Sequence, residues 1–168
     1  SKSLGNVIDP RDLVKDFGLD AVRFFLLREV PFGGDSDLSR QSLIMRNNVE
    51  LANDLGNLCQ RTLSLVARNC DGIVPERRAL TQEDTKLLGQ VAVLPELMAG
   101  QIERCALTDA LEDVWKVIRA GNAYIDHQAP WALRKTDIER MKDVLRVLLD
   151  TLRGIATVLQ PFMPHSMD

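Results

Sequence analysis

Apolar residues recur at intervals of three and four positions along most of the chain, which is the spacing that lines one face of an α-helix. Two stretches show the pattern most clearly, one near residues 51–65 and one near residues 138–159. The first of these stripes consists of Leu51, Leu55, Leu58, Thr62 and Leu65. The pattern therefore predicts a chain that is helical nearly throughout.

Capping residues, glycines and prolines divide this pattern into separate helices. Asp9 and Pro10 are typical of a helix start, and Gly18 is typical of a helix end, so a first short helix is expected between them. A second short helix follows. The segment 31–39 contains proline, two adjacent glycines and small polar residues, which predicts a loop. This loop separates an N-terminal piece, 1–38, from the remainder.

Longer helices are predicted in the remainder of the chain. Ser39 begins a helix that extends to about residue 70, and a capping-box sequence at Thr81 begins the next one. Pro95 is expected to kink that helix, because proline lacks the N–H group of the helical ladder. Pro130 is expected to end the helix that follows, and a final helix is expected to begin at about Asp137 and to end near Pro161.

These elements predict an all-α fold. We expect residues 39–168 to form an antiparallel helix bundle and residues 1–38 to form a small helical segment that precedes it. The sequence has no apolar run near the ~18 residues of a membrane span. Its first residues lack the apolar core of a secretory signal. We therefore expect no membrane partner.

The overall charge narrows the range of partners. The 168 residues include 21 basic and 24 acidic side chains, which gives a net charge of -3. A protein that grips nucleic acid over a broad surface would show a basic excess, so any nucleic acid bound here has to be held locally. Cys59, Cys70 and Cys105 are an odd number without a CxxC pair, which argues against a disulfide framework and a Cys-rich zinc site.

Candidate catalytic residues are few. The two histidines, His127 and His165, lack metal-binding spacing, and the sequence contains no P-loop, GxGxxG or nucleophile-elbow motif. An enzyme that is complete within this chain is therefore not expected. Ser1, Lys2 and Ser3 form a pattern that suits phosphate, because they combine a lysine charge with two hydroxyl donors. The alternative interpretation is that these three residues are an ordinary chain terminus without a phosphate-binding role.

A second set of candidates suits unpaired bases. Asn57 and Arg61 are four residues apart and share a helix face beside the leucine stripe. Their side chains can bond to the edge of an unstacked base, but a solvated helix flank has the same composition. Trp131 directly follows Pro130 at a helix end, where its ring can either stack on a base or close the bundle as a lid. Trp115, inside a predicted helix, is expected in the core.

Several motifs resemble those of the methionyl-tRNA synthetases, a family of class I aminoacyl-tRNA synthetases. The first six residues, SKSLGN, resemble the end and sequel of the KMSKS signature loop of that class. The resemblance is narrowed to the methionyl family by FGLDAVRFFLLRE (17–29), PFG (31–33), LANDLGNL (51–58) with Arg61, and DHQAPW (126–131). These motifs follow one another in order over nearly the whole chain. The combination of PFG with QAPW distinguishes them from isoleucyl-, leucyl- and valyl-tRNA synthetases.

The resemblance implies both an architecture and site residues. It implies a stem-contact segment at 1–38 and an anticodon-binding helix bundle at 39–168. It implies that ATP phosphates contact the remnant of the signature loop, Ser1, Lys2 and Ser3. It also implies that the methionine anticodon, chiefly its first base, cytosine, is read by Asn57, Arg61 and Trp131, at a corner shaped by Pro130.

The reaction that the resemblance implies is activation of methionine by ATP, with Mg²⁺, and transfer to methionine tRNA in the cytoplasm. Because the chain begins within the signature loop, it is expected to be a fragment that lacks the nucleotide-binding fold and is inactive alone. The alternative is a helical protein-interaction module without a nucleic-acid role. An exposed apolar groove would favour that alternative, whereas a polar pocket around Trp131 would favour anticodon recognition.

Overall fold

The structure is a computed structural model that describes residues 9–30 and 39–168. Within these ranges the chain forms α-helices and one π-helical segment, with no strand, which confirms the predicted all-α fold. The helices are α1 (Pro10–Phe17), α2 (Leu19–Glu29), α3 (Arg40–Arg46), α4 (Asn57–Asn69), α5 (Gln82–Ala92), α6 (Leu94–Glu103), α7 (Leu107–Gln128), α8 (Pro130–Thr136) and α9 (Ile138–Leu159). The π segment, Asn47–Gly56, joins α3 to α4.

The long helix predicted from Ser39 is present, but its middle is not an α-helix. Ser39 caps α3 by accepting a hydrogen bond from the backbone N–H of Ser42 at 3.0 Å. The π segment then interrupts the α-helical ladder. At its last residue, Gly56, the backbone is closely packed, since an added Cβ atom would lie 3.0 Å from the carbonyl oxygen of Leu51. A π-helix turns less per residue than an α-helix. The continuous α-helix predicted from Ser39 is therefore wrong over residues 47–56, although Leu55 and Leu58 are buried as expected.

Pro95 and Pro130 each lie in the first turn of a new helix, so Pro95 divides a helix that was expected only to bend. The capping box at Thr81 is present and begins α5, as predicted. At Val93, however, the helix ends, and Pro95 lies in the first turn of a separate helix, α6. Pro130 similarly begins α8, a short helix that the sequence did not predict. Both outcomes have one cause, since proline disrupts a helix interior but suits a first turn, where no partner for its missing N–H group is needed.

The core of the bundle lies between the two longest helices, α7 and α9, each of 22 residues. Trp115 is fully buried there, with its ring centroid 4.8 Å from that of Phe24 in α2, which confirms its predicted core position. Close packing of α4 on α7 occurs at Gly121, where an added Cβ atom would lie 2.9 Å from a methyl carbon of Leu58. This contact holds α4 beside the C-terminal half of α7.

The N-terminal helices α1 and α2 are attached to the bundle by apolar and ionic contacts. A small cluster of buried residues forms their own core: Leu13, Val22, Phe25 and Leu43. Arg28 of α2 is buried and donates to Glu50 of the π segment at 3.1 and 3.2 Å, and it also contacts Glu112 of α7. The predicted division of the chain at residue 38 lies outside the described residues and stays a prediction.

A membrane-spanning helix would need a long and strongly apolar stretch. Among the helices in residues 9–30 and 39–168, none has the combination of length and apolar composition that would allow it to cross a bilayer.

Candidate nucleic-acid interface

The corner between α7 and α8 carries Trp131. α7 ends at Gln128, and only Ala129 separates it from Pro130, the first residue of α8. Ala129 has the left-handed conformation, with φ 44° and ψ 59°, which is a common way to end a helix although it is unusual for a residue other than glycine. Because Pro130 restricts the backbone on the other side, the base of the Trp131 side chain is held at a defined place.

The two tryptophans have opposite surroundings. Trp131 is 45% exposed, whereas Trp115 is 0% exposed. A fully buried lid is therefore excluded for Trp131, and part of its side chain is accessible to a ligand. Pro130 is buried beneath this corner, so it supports the tryptophan and is not itself open to a base.

Arg61 of α4 lies across from the exposed ring. Its guanidinium carbon is 5.3 Å from the centroid of the Trp131 ring, which is within the range of a cation–π interaction. The same guanidinium donates a hydrogen bond to the carboxylate of Asp126 in α7 at 2.5 Å. The arginine is thus held from two sides, by the face of the Trp131 ring and by the Asp126 carboxylate.

These side chains open onto a shallow groove of about 300 Å³. Its lining residues come from α4 and α8: Gln60, Arg61, Ser64, Leu65, Arg68 and Trp131. An aromatic face, an amide, a hydroxyl and two guanidinium groups thus surround one space. Such a set can stack on a base, donate to its edge and neutralise a phosphate.

The remaining predicted anticodon residue, Asn57, is exposed at the first position of α4. It precedes Arg61 by one helical turn, so the two side chains share a face as predicted. It is not among the residues that line the groove beside Trp131. The structure therefore brings Arg61 and Trp131 into contact and leaves Asn57 one turn away, on the surface next to them.

Ser1, Lys2 and Ser3, the predicted phosphate-binding residues, lie outside the described residues. No group of three or more His, Cys, Asp or Glu side chains in the part of the chain that the structure describes is arranged to hold a metal ion.

Asp126, like the groove-lining Gln60, Ser64 and Arg68, is a residue of this interface to which the sequence assigned no role. It pairs with a residue 65 positions earlier in the chain, and a single sequence contains no signal for a contact of that separation. Asp126 lies two residues before the end of α7, and a surface aspartate near a helix end has no distinctive pattern.

Comparison with known proteins gives consistent results over the chain. A family model described as "tRNA synthetases class I (M)" matches residues 1–63, and one described as "Anticodon binding domain of methionyl tRNA ligase" matches residues 74–168. Proteins named methionine–tRNA ligase from Brucella suis and Mesorhizobium japonicum are 46% and 47% identical to the chain. The alignments cover 100% and 99% of the chain but only 33% and 32% of those relatives. The chain thus spans about a third of their length.

Solved structures agree with this comparison. A structure of Mycobacterium tuberculosis methionyl-tRNA synthetase in complex with methionyl-adenylate superposes with a TM-score of 0.96 at 43% identity. It matches 99% of this chain, which covers 34% of that one. The helical fold and the matched anticodon-binding domain define the class, that of the class I tRNA synthetases. Within that class, the chain belongs to the methionyl-tRNA synthetase family.

Proposed function

We propose that this chain recognises the anticodon of methionine tRNA, with Trp131 as the stacking platform for an unpaired base. The observation that carries the proposal is the exposed Trp131 ring with the Arg61 guanidinium 5.3 Å from its centroid, at the mouth of a polar groove. Stacking of a base on such a ring is worth about 1–3 kcal/mol. A site of this kind needs no basic excess over the whole protein, which agrees with the net charge of -3.

The side chains around the ring supply the selectivity. The Arg61 guanidinium presents several N–H donors in a fixed plane, and cytosine offers acceptors on its Watson–Crick edge. Asn57, one turn earlier, carries both a donor and an acceptor. Because Asp126 already holds the guanidinium at 2.5 Å, Arg61 is oriented before a base arrives. A pre-oriented donor loses less conformational entropy on binding.

The wider activity of the relatives is part of the same proposal. We expect a whole-length protein containing this chain to activate methionine with ATP and transfer it to methionine tRNA. In that setting Ser1, Lys2 and Ser3 would contact ATP phosphates, and Mg²⁺ would accompany the nucleotide. We expect cytoplasmic localisation, because the proposed tRNA substrate is used in translation. The support for these statements is the resemblance of the motifs and the identity to the named relatives.

One observation favours a second function on another face. An apolar groove of about 530 Å³ lies between the π segment, α4 and the C-terminal part of the chain, with Leu63 and Met167 among its lining residues. This is the feature that a protein-interaction module requires. Pull-down of a partner that is lost in Leu63→Asp, with RNA binding unchanged, would establish this function separately.

Intrinsic fluorescence tests the main proposal. Trp115 is buried, so a base that stacks on exposed Trp131 should quench the emission of Trp131 alone. Titration with an RNA stem-loop that carries the methionine anticodon is expected to give saturable quenching. The variant Trp131→Phe should bind the same stem-loop without that signal. Binding that leaves the emission unchanged would show that the tryptophan does not stack on the RNA.

A further inference from the structure

The α7–α8 corner is tied to α5 and α9 by a polar network centred on buried Asp84, which does not include Arg61. We propose that Arg140 and Gln128 are positioning residues that hold this corner, and with it the Trp131 ring, in the orientation needed to stack on a base. The inference rests on the proposed function. It adds two residues that do not themselves contact the groove beside Trp131.

At the centre of the network is Asp84, whose side chain is 0% exposed. Its carboxylate accepts hydrogen bonds from the hydroxyl of Tyr124 at 2.6 Å and from the backbone N–H of Thr81 at 2.9 Å. Arg140 donates to both of its oxygens, at 2.6 and 2.8 Å. One carboxylate thus joins the start of α5 to α7 and α9. A fully bonded buried group of this kind is rigid, because every alternative arrangement leaves a polar atom unpaired.

The charges of this network are fixed over a wide range of pH. Burial alone would raise the pKa of Asp84, but the hydrogen bonds from Arg140, Tyr124 and Thr81 outweigh it and hold the pKa well below its usual value. The hydrogen bond to Asp84 raises the pKa of Arg140. Burial and the same carboxylate raise the pKa of the Tyr124 hydroxyl. The aspartate is therefore ionised, and the arginine beside it keeps its charge and its donors.

Arg140 links the Asp84 network to the α7–α8 corner. Its Nη2 atom, which bonds Asp84, also donates to the side-chain carbonyl of Gln128 at 2.7 Å. Gln128 is the last residue of α7, and its side-chain amide also donates to Glu83 of α5. The direction in which the chain enters α8 is therefore fixed from α5 and α9, three residues before Trp131.

The network and the Arg61 contact hold the corner on two sides. Asp126, one half-turn before Gln128, pairs with Arg61, while Gln128 pairs with Arg140. Within the described residues, no hydrogen bond holds the indole nitrogen of Trp131 itself. Apart from the Arg61 guanidinium over the ring, the position of the ring therefore depends on the backbone at its base.

Gln128→Ala tests the inference, because it cuts the link to the corner and leaves the Asp84–Arg140 pair intact. Affinity for the methionine-anticodon stem-loop should fall about fivefold, which corresponds to about 1 kcal/mol. In a Trp131→Ala background the same substitution should change affinity by less than about 1.5-fold, because the residue acts through the ring. Acrylamide quenching of the free chain should increase, since Trp115 is buried and the signal reports the freed Trp131.

Arg140→Met repeats the test from the other end, with Arg146→Met as a matched control. Arg146 lies on the same helix, has a similar exposure and makes its own ion pair with Asp150 at 3.1 Å, but it has no link to the corner. Both variants should lose stability, and only Arg140→Met should weaken RNA binding per folded molecule. If Arg140→Met does not fold, the Gln128→Ala variant alone tests the positioning role.

The outcomes separate the inference from the function on which it rests. The positioning role is wrong if Gln128→Ala leaves affinity unchanged while Trp131→Ala weakens it. It is also wrong if Gln128→Ala weakens binding equally in both backgrounds, since the residue would then contact RNA itself. If Trp131→Ala has no effect on affinity, the proposed function is wrong, and acrylamide quenching alone decides whether Gln128 fixes the ring.

Discussion

Trp131 and Trp115 are a natural pair for separating binding from stability. The first is 45% exposed beside Arg61, and the second is 0% exposed against Phe24. Removal of an exposed ring takes away a stacking partner and little core volume. Removal of a buried ring leaves a cavity, for which about 3–5 kcal/mol of stability is a typical loss.

We therefore expect Trp131→Ala to weaken binding of the methionine-anticodon stem-loop by at least about tenfold, or about 1.4 kcal/mol, with little change in melting temperature. Trp115→Ala should do the reverse. Paired thermal melts and titrations check both. A Trp131→Ala variant that melts as early as Trp115→Ala and binds RNA normally per folded molecule would identify Trp131 as a structural residue.

At this scale the sequence predicts single residues better than it predicts contacts. The core position of Trp115 follows from the apolar helical stripe in which it lies, whereas the sequence left Trp131 open between a stacking ring and a packed lid. The partners of Arg61 and Arg140 were not visible. Asp126 is 65 residues from Arg61, and Asp84 is 56 residues from Arg140. Only the folded chain brings such pairs together.

At the scale of elements, the start of α5 combines a local cap with a tertiary anchor. Thr81 and Asp84 form a reciprocal capping box, in which each side chain accepts a hydrogen bond from the backbone of the other. The same carboxylate binds Arg140 and Tyr124. The cap was predicted from four consecutive residues, but its burial and its second role were not.

Asp84 should make the bundle sensitive to acid. Its pKa is lower in the folded state than the value of about 3.9 in an unfolded chain, so its stabilisation is fully present above that value. The stabilisation is lost as pH falls through the folded pKa, because the unfolded state binds the proton first. Urea unfolding between pH 7 and about pH 2.5 should therefore show a loss of stability on the acid side.

Asp84→Asn removes this proton linkage. The variant should be less stable at pH 7, since Arg140 loses its charged partner. Its stability should then fall less steeply below about pH 4, by at most about 1.4 kcal/mol per pH unit for one proton. Equal slopes in the two proteins would show that Asp84 does not contribute to the acid transition.

The π segment and α8 are two elements that the sequence pattern does not predict. Apolar spacing over residues 51–65 predicted a continuous helix, and the burial of Leu55 and Leu58 agrees with it. The change to π geometry alters the ladder of backbone bonds while keeping an apolar face, so periodicity cannot reveal it. α8 has seven residues, too few for a periodic pattern. Pro130 was interpreted as an end, although it is also a typical first residue.

For the molecule as a whole, the lack of a P-loop or GxGxxG motif in the sequence leads to a prediction about catalysis. The chain spans about a third of its methionine–tRNA ligase relatives. We expect methionine-dependent exchange between ATP and pyrophosphate at background for this chain, because a lysine at position 2 cannot stabilise a transition state without a pocket that holds the substrates. A whole-length relative, assayed in parallel, is the positive control. Measurable exchange by the purified chain would contradict this prediction.

The central claim is that a locally held base, and not a general attraction for RNA, is what the chain recognises. The most direct measurement is the affinity of the 168-residue chain for two stem-loops that differ only in the first anticodon base, cytosine or uracil. The two ligands carry identical phosphate charges, so their difference reports base recognition alone. We predict at least about tenfold tighter binding of the cytosine stem-loop, or about 1.4 kcal/mol. Equal affinities for the two stem-loops would contradict the account.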